Sequence, residues 1–178
     1  MSKFNEVNVI NLDVIPGQFG RNPTAQERKD SASEGLKNYL YMKKNGIETI
    51  HTFHMYEDEE VLEEIKGMCK YIGISPANDA SLKSRIKWLK WVFARLKADY
   101  KTHILGLTSP AMLESIPLYS CDSIGWQTGA MWGNAIGVKD KRLKRFITER
   151  GQNMRSWSHN TDKILQRQEF YTKLWEIS

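Results

Sequence analysis

Cysteine is scarce: Cys69 and Cys121 are the only two in 178 residues. Two sulfurs build neither a disulfide framework nor a Cys-rich structural zinc cluster. Long apolar runs are also missing, and no stretch approaches the roughly 20 residues that a membrane span needs. Met1-Ser2-Lys3-Phe4-Asn5-Glu6 leads into a short apolar segment broken by Asn8 and Asn11, which is unlike a signal peptide. The expectation is a cytoplasmic setting with no membrane partner. No internal repeat or low-complexity linker argues for two independent domains.

What is present is a modest basic excess. Lys plus Arg outnumber Asp plus Glu by 26 to 21, a net charge of +5 that favours an anionic partner. Residues 80 to 101 hold seven Lys/Arg against one acidic residue, and residues 139 to 145 hold five against one. Lys83, Lys87, Lys90, Lys141, Arg142, Lys144 and Arg145 are therefore candidate phosphate contacts on DNA or RNA, with Trp126, Trp132 or Trp157 as possible stacking platforms. The competing reading is a solvated helix surface whose tryptophans seal the core.

Short strands alternate with helices along the chain. Val7 to Ile15 is β-branched and apolar and stops at Pro16-Gly17. Ala25 to Lys44 permits a helix closed by Asn45-Gly46. Ile47 to Phe53 reads as a strand before the acidic helix start Glu57-Asp58-Glu59-Glu60, and Tyr71 to Ile74 as the next strand. In Ser81 to Ala98, Leu82, Ile86, Leu89, Phe93 and Leu96 form one apolar helical face. Trp88 and Trp91, three residues apart, are expected beside it. His103 to Leu107 and Leu118 to Cys121 are further strands around a short helix from Pro110 to Ser115. Residues 135 to 138 offer one more short strand. Gly151 to His159 is expected to interrupt the charged tail before a last helix from Thr161 to Trp175.

This pattern predicts an α/β fold: an incomplete or shortened TIM-barrel-like sheet of about five parallel strands, flanked by helices, over residues 1–138. A basic helical C-terminal extension is expected over residues 139–178. The length suits one core but falls short of the roughly 250 residues of a complete eight-stranded barrel.

Chemistry in such folds gathers at strand ends. Asp122, in Tyr119-Ser120-Cys121-Asp122-Ser123-Ile124-Gly125-Trp126, is the first candidate, against a cap carboxylate that only satisfies backbone donors. Asp13 lies at the end of the first strand, against a role in shaping the Val14-Ile15-Pro16-Gly17 turn. His54, Tyr56, Gly73 and Ser75 occupy the next two strand ends, where a glycine backbone can approach a planar ligand and a tyrosine can stack on it. His51 and His54 are three apart on a strand and point to opposite faces, so they make no metal pair. His103 is expected to begin its strand and make a structural hydrogen bond.

Leu12-Asp13-Val14-Ile15-Pro16-Gly17, Thr52-Phe53-His54-Met55-Tyr56-Glu57-Asp58, Tyr71-Ile72-Gly73-Ile74-Ser75, His103-Ile104-Leu105-Gly106-Leu107-Thr108-Ser109 and the Asp122 phrase occur in an order that resembles the tRNA-guanine transglycosylase superfamily. The likeness spans roughly residues 7 to 135 and is nearest to phage and bacterial branches associated with 7-deazaguanine modification of DNA. It implies exchange of a guanine-type base in nucleic acid without cleavage of the phosphodiester chain. Asp122 would be the nucleophile at the sugar C1′. Asp13 would accept the adjacent N–H donors of a guanine or 7-deazaguanine edge. The family's earlier Asp-Ser-Gly-Gly-Phe-type phrase is missing, as is the Cys/His zinc module of the tRNA enzymes. The resemblance therefore implies a complementary subunit or a homo-oligomer, in the host cytoplasm if the chain is phage-encoded, with no metal or redox cofactor. A noncatalytic nucleic-acid-binding or protein-binding subunit, and a small glycoside-cleaving enzyme, are the other functional expectations.

Overall fold

Five parallel strands pair in strict sequence order. In the computed structural model, which describes residues 8–107, 109–122, 137–138 and 153–176, they are β1 (Val9–Ile10), β2 (Thr49–His54), β3 (Tyr71–Ser75), β4 (Lys101–Ile104) and β5 (Ser120–Cys121). The chain is α/β, and order 1-2-3-4-5 is that of a β/α-barrel wall rather than of a doubly wound sheet, whose order reverses at a switch point. Helices α1 (Ala25–Lys44), α2 (Glu59–Met68) and α3 (Leu82–Leu96) form the first three crossovers. The last crossover carries the short α4 (Pro110–Leu113), and α5 (Asn153–Glu176) forms a C-terminal helical extension.

The described chain divides into two compact units. The first comprises residues 1–105 and 118–121, and so contains all five strands; the second comprises 106–117 and 122–178. The expected boundary between 138 and 139 adjoins residues outside the described set; Lys141, Arg142, Lys144 and Arg145 lie outside it, as do residues 135 and 136 of the possible short strand, of which Gly137 forms a turn and Val138 is not in a strand.

Helix α1 begins as its sequence dictates. Thr24 accepts from the Glu27 N–H while the Glu27 carboxylate accepts from the Thr24 N–H, a capping box that satisfies two otherwise unpaired donors. It ends at Asn45 with Gly46 at φ 74°, the left-handed position that glycine occupies without steric cost. Helix α2 starts at Glu59, two residues later than the acidic run suggests, with Asp58 as its N-cap. Ser81 caps α3 by accepting from the Ser84 N–H.

The core of the first unit lies between strands and helices. Phe53, Leu62, Ile72, Ile74, Leu89, Val92, Leu96 and Ile104 are fully buried. Val92 replaces Phe93 in the buried stripe of α3, and Leu82 is 46% exposed, because the stripe that meets the sheet runs 89-92-96. Trp88 and Trp91 stack on Phe53 with ring centroids 5.7 and 6.4 Å away. Both are half-buried, packed beside the apolar face of α3 as their three-residue spacing predicts.

Gly73 is the third of the five residues of β3, in register with Thr52 and His103, and so lies inside the strand rather than at the strand end expected for it. A Cβ there would sit 2.8 Å from Thr52 Oγ1 and 3.3 Å from Thr52 Cα. Gly73 thus provides the close approach of β2 and β3. Gly73→Ala is expected to destabilise the protein by about 1–3 kcal/mol through overpacking, measured as a lower urea midpoint with an unchanged slope.

Other boundaries move as well. His103 is the third residue of β4, not its first, and its Nδ1 lies 2.8 Å from Ser120 Oγ, which also meets the Tyr71 hydroxyl at 2.7 Å. In the second unit, residues 153–159 are helical, so the expected interruption reaching His159 is absent from that stretch. No glycine or proline occurs from 153 to 176 to stop the helix. Leu107, Met112, Leu113 and Ile116 are buried, and the Tyr171 hydroxyl donates to Glu114 at 3.1 Å.

Candidate functional site

Polar side chains meet where β1 and β2 end. The chain leaves β1 through Asn11 to Asp13, and His54 is the last residue of β2. His54 Nε2 lies 2.9 Å from Asp13 Oδ2, with the His54 side chain 4% and the Asp13 side chain 26% exposed. The two atoms are in close polar contact without the geometry of a well-directed hydrogen bond. Burial pushes the Asp13 carboxyl up, but the adjacent His54 ring and its charge outweigh that, and the net position is below the ordinary carboxylate range. Asp13 is an ionised acceptor with one edge open to solvent.

Glu57 closes the turn that follows β2. Its Oε2 accepts the His54 N–H at 2.8 Å and its Oε1 accepts the Ser31 hydroxyl at 3.3 Å, while its own N–H donates to the His54 carbonyl at 3.2 Å. Burial is the main influence on this carboxyl and pushes it above its ordinary value, against the lowering effects of His54 and Ser31. The Met55 N–H donates to the Ser75 carbonyl at 2.9 Å, which ties the turn to the end of β3. Of the residues expected to contact a base, Asp13 and His54 touch, Ser75 and Tyr56 adjoin them through this turn, and Gly73 lies deeper in β3.

His51 points away from this group and packs on α1. It stacks on Tyr39 with ring centroids 5.0 Å apart. Its Nδ1 lies 3.3 Å from Asn11 Nδ2 and accepts from the Thr52 N–H at 3.1 Å. Two donors converging on one ring nitrogen assign it as an acceptor and leave the neutral ring with its proton on Nε2. Burial, reinforced by the His54 charge, lowers the His51 pKa from 6.5 to about 4.

An open cavity of about 380 Å³ lies beside the turn, lined by Gly20, Arg21, Asn22, Met55, Tyr56, Asp79, Ala80, Ser81 and Ser84. Asp79 Oδ2 accepts the Gly20 N–H at 2.7 Å and so joins the loop before α1 to the loop before α3. Of these walls only Tyr56 was among the expected base contacts, and Glu57 was not among them. Its one available signal was a carboxylate three residues after His54, and that was absorbed into an apparent helix start.

Asp122 belongs to the second unit. Its Oδ1 accepts the Gly106 N–H at 2.7 Å, and its carbonyl accepts the Leu107 N–H at 2.8 Å. It therefore makes the backbone-satisfying contacts that were weighed against catalysis. Lys83, Lys87 and Lys90 are exposed on α3 and form none of the salt bridges among the described residues. Trp126, Trp132 and the side chain of Trp157 lie outside the described residues. Comparison with protein-family models, curated proteins and solved structures finds no match.

Proposed function

We propose that this chain is a transglycosylase-like protein that binds a guanine-type base at the ends of β1–β3 and acts on DNA or RNA as one part of a split or two-copy enzyme. The observation that carries this reading is the Asp13 carboxylate, ionised by buried His54 yet partly open. Two carboxylate lone pairs match the adjacent N–H donors of a guanine or 7-deazaguanine edge. Exposed Lys83, Lys87 and Lys90 supply charge for a phosphate backbone.

In this reading Asp122 attacks the sugar C1′ and the old base departs with a proton. The incoming base then displaces the carboxylate and loses its own proton, so configuration is retained after two displacements. The proton donor comes from the complementary copy or chain. A specific observation favours a second reading, a noncatalytic binding subunit: the Asp122 side chain and carbonyl both hold backbone amides of Gly106 and Leu107.

The deciding experiment incubates the chain, with and without proteins that copurify with it, with DNA or RNA and labelled guanine or 7-deazaguanine. Exchange is expected in the wild type and absent in Asp122→Asn. Asp13→Asn is expected to weaken guanine binding about 10- to 100-fold, the range for losing hydrogen bonds to a charged acceptor. Binding of base and polymer without exchange selects the noncatalytic subunit. Guanine affinity unchanged in Asp13→Asn rejects the base-edge assignment.

A further inference from the structure

Tyr56 stands at φ 84°, one of two non-glycine residues with positive φ among those described. It is the third residue of the His54–Glu57 turn, closed by the Glu57 N–H donating to the His54 carbonyl. A positive φ at that position of a type II turn belongs to glycine or asparagine, and an aromatic residue there is strained. No ring pair and no hydrogen bond of its side chain among the described residues offsets that strain. Its ring enters none of the aromatic pairs among the described residues, and its hydroxyl has no hydrogen-bond partner among them.

The turn is nonetheless held from several sides. Glu57 grips His54 through both its backbone N–H and its carboxylate, Ser31 donates to the same carboxylate, and Met55 is anchored to Ser75. A fixed turn therefore presents an unengaged aromatic ring to a cavity of about 380 Å³, within the size range of small-ligand sites. Across that cavity stand the Ser81 and Ser84 hydroxyls and the Asp79 carboxylate, whose Oδ1 accepts no bond among the described residues.

We infer that this cavity is a binding site for a planar nitrogen heterocycle, with Tyr56 kept in a strained turn as its stacking wall and Asp79 as an acceptor for ring N–H groups. The inference deepens the base-binding reading by locating where the ring lies. It is separable from that reading, because stacking on Tyr56 does not require the Asp13 contact.

The test uses the full chain, with Tyr56→Gly and Tyr56→Phe variants, and guanosine, adenosine and cytidine as probes in saturation-transfer NMR and titration calorimetry. Tyr56→Gly relieves the strain and is expected to raise Tm by about 2 °C or more while weakening nucleoside binding about 10-fold or more. Tyr56→Phe keeps the ring and is expected to bind like the wild type. A gain in stability coupled to a loss of binding is a signature that a purely structural tyrosine does not give. Lower stability in Tyr56→Gly overturns the inference, as does a wild type that binds none of the three nucleosides. Binding lost in Tyr56→Gly but untouched by Asp13→Asn upholds this site and rejects the Asp13 assignment.

Discussion

Phe53→Ala is expected to lower stability by about 3–5 kcal/mol, the range for deleting a fully buried aromatic side chain. Phe53 is 0% exposed as the fifth of the six residues of β2, in register with Ile74 of β3, and both tryptophans of α3 stack on its ring. Truncation removes the transferred apolar surface and leaves a void that Trp88 and Trp91 fill only by abandoning their packing. The measurement is urea unfolding followed by tryptophan fluorescence. A loss below about 1 kcal/mol would mean that α3 closes onto the sheet without this contact. Phe53→Leu retains much of the volume and is expected to lose less, which separates the void from a general intolerance to change at this position.

The second large effect is acid sensitivity centred on His51. Its folded pKa of about 4 lies below the ordinary 6.5. Between those values the unfolded chain binds a proton that the folded chain refuses, so stability rises with pH across this window and is lost as pH falls from 6.5 towards 4. The shift corresponds to at most about 3 kcal/mol. Two neighbouring groups act differently. Asp13, held below its ordinary value of 3.8, is stabilising above that pH and loses this contribution only in stronger acid. Glu57, raised above 4.5, has the opposite sign, since the folded state favours its protonated form and loses stability as pH rises through its folded pKa. Comparing the unfolding free energy of wild type and His51→Gln from pH 7 to pH 4 isolates the His51 contribution. The variant is expected to have a flatter slope between pH 6.5 and 4. Equal slopes would mean that the ring is not held neutral against Tyr39 and Asn11.

The parallel sheet was legible because alternating strands and helices leave few connections, and each return to a shared sheet preserves strand direction. Strand ends were less legible. β1 shrinks to two residues because it pairs only with β2 and the Asn11 side chain turns to donate to the Gly35 carbonyl of α1. β4 begins at Lys101, whose N–H pairs with the Lys70 carbonyl, a match set by its neighbour and invisible in local hydropathy. Asp13 and His54 were readable as polar groups beyond apolar strands, and the structure brings them within 2.9 Å. Glu57 was not, because an acidic residue near a helix start looks the same whether it serves the helix or a turn. The strain at Tyr56 was unreadable, since a backbone angle leaves no trace in composition. The cavity walls other than Tyr56 were hidden for another reason: residues 20–22, 55–56, 79–81 and 84 come together only after the first three strands pair.

The unbroken 1-2-3-4-5 order has a kinetic corollary. Among the described residues each strand hydrogen-bonds only to the strands just before and just after it in the chain. Every pairing thus closes a loop of a few tens of residues at most, and none waits for a distant terminus to arrive. The search that assembles this sheet can proceed by accretion, one β/α unit onto the last, without the long-range closures that slow Greek-key and other high-contact-order topologies.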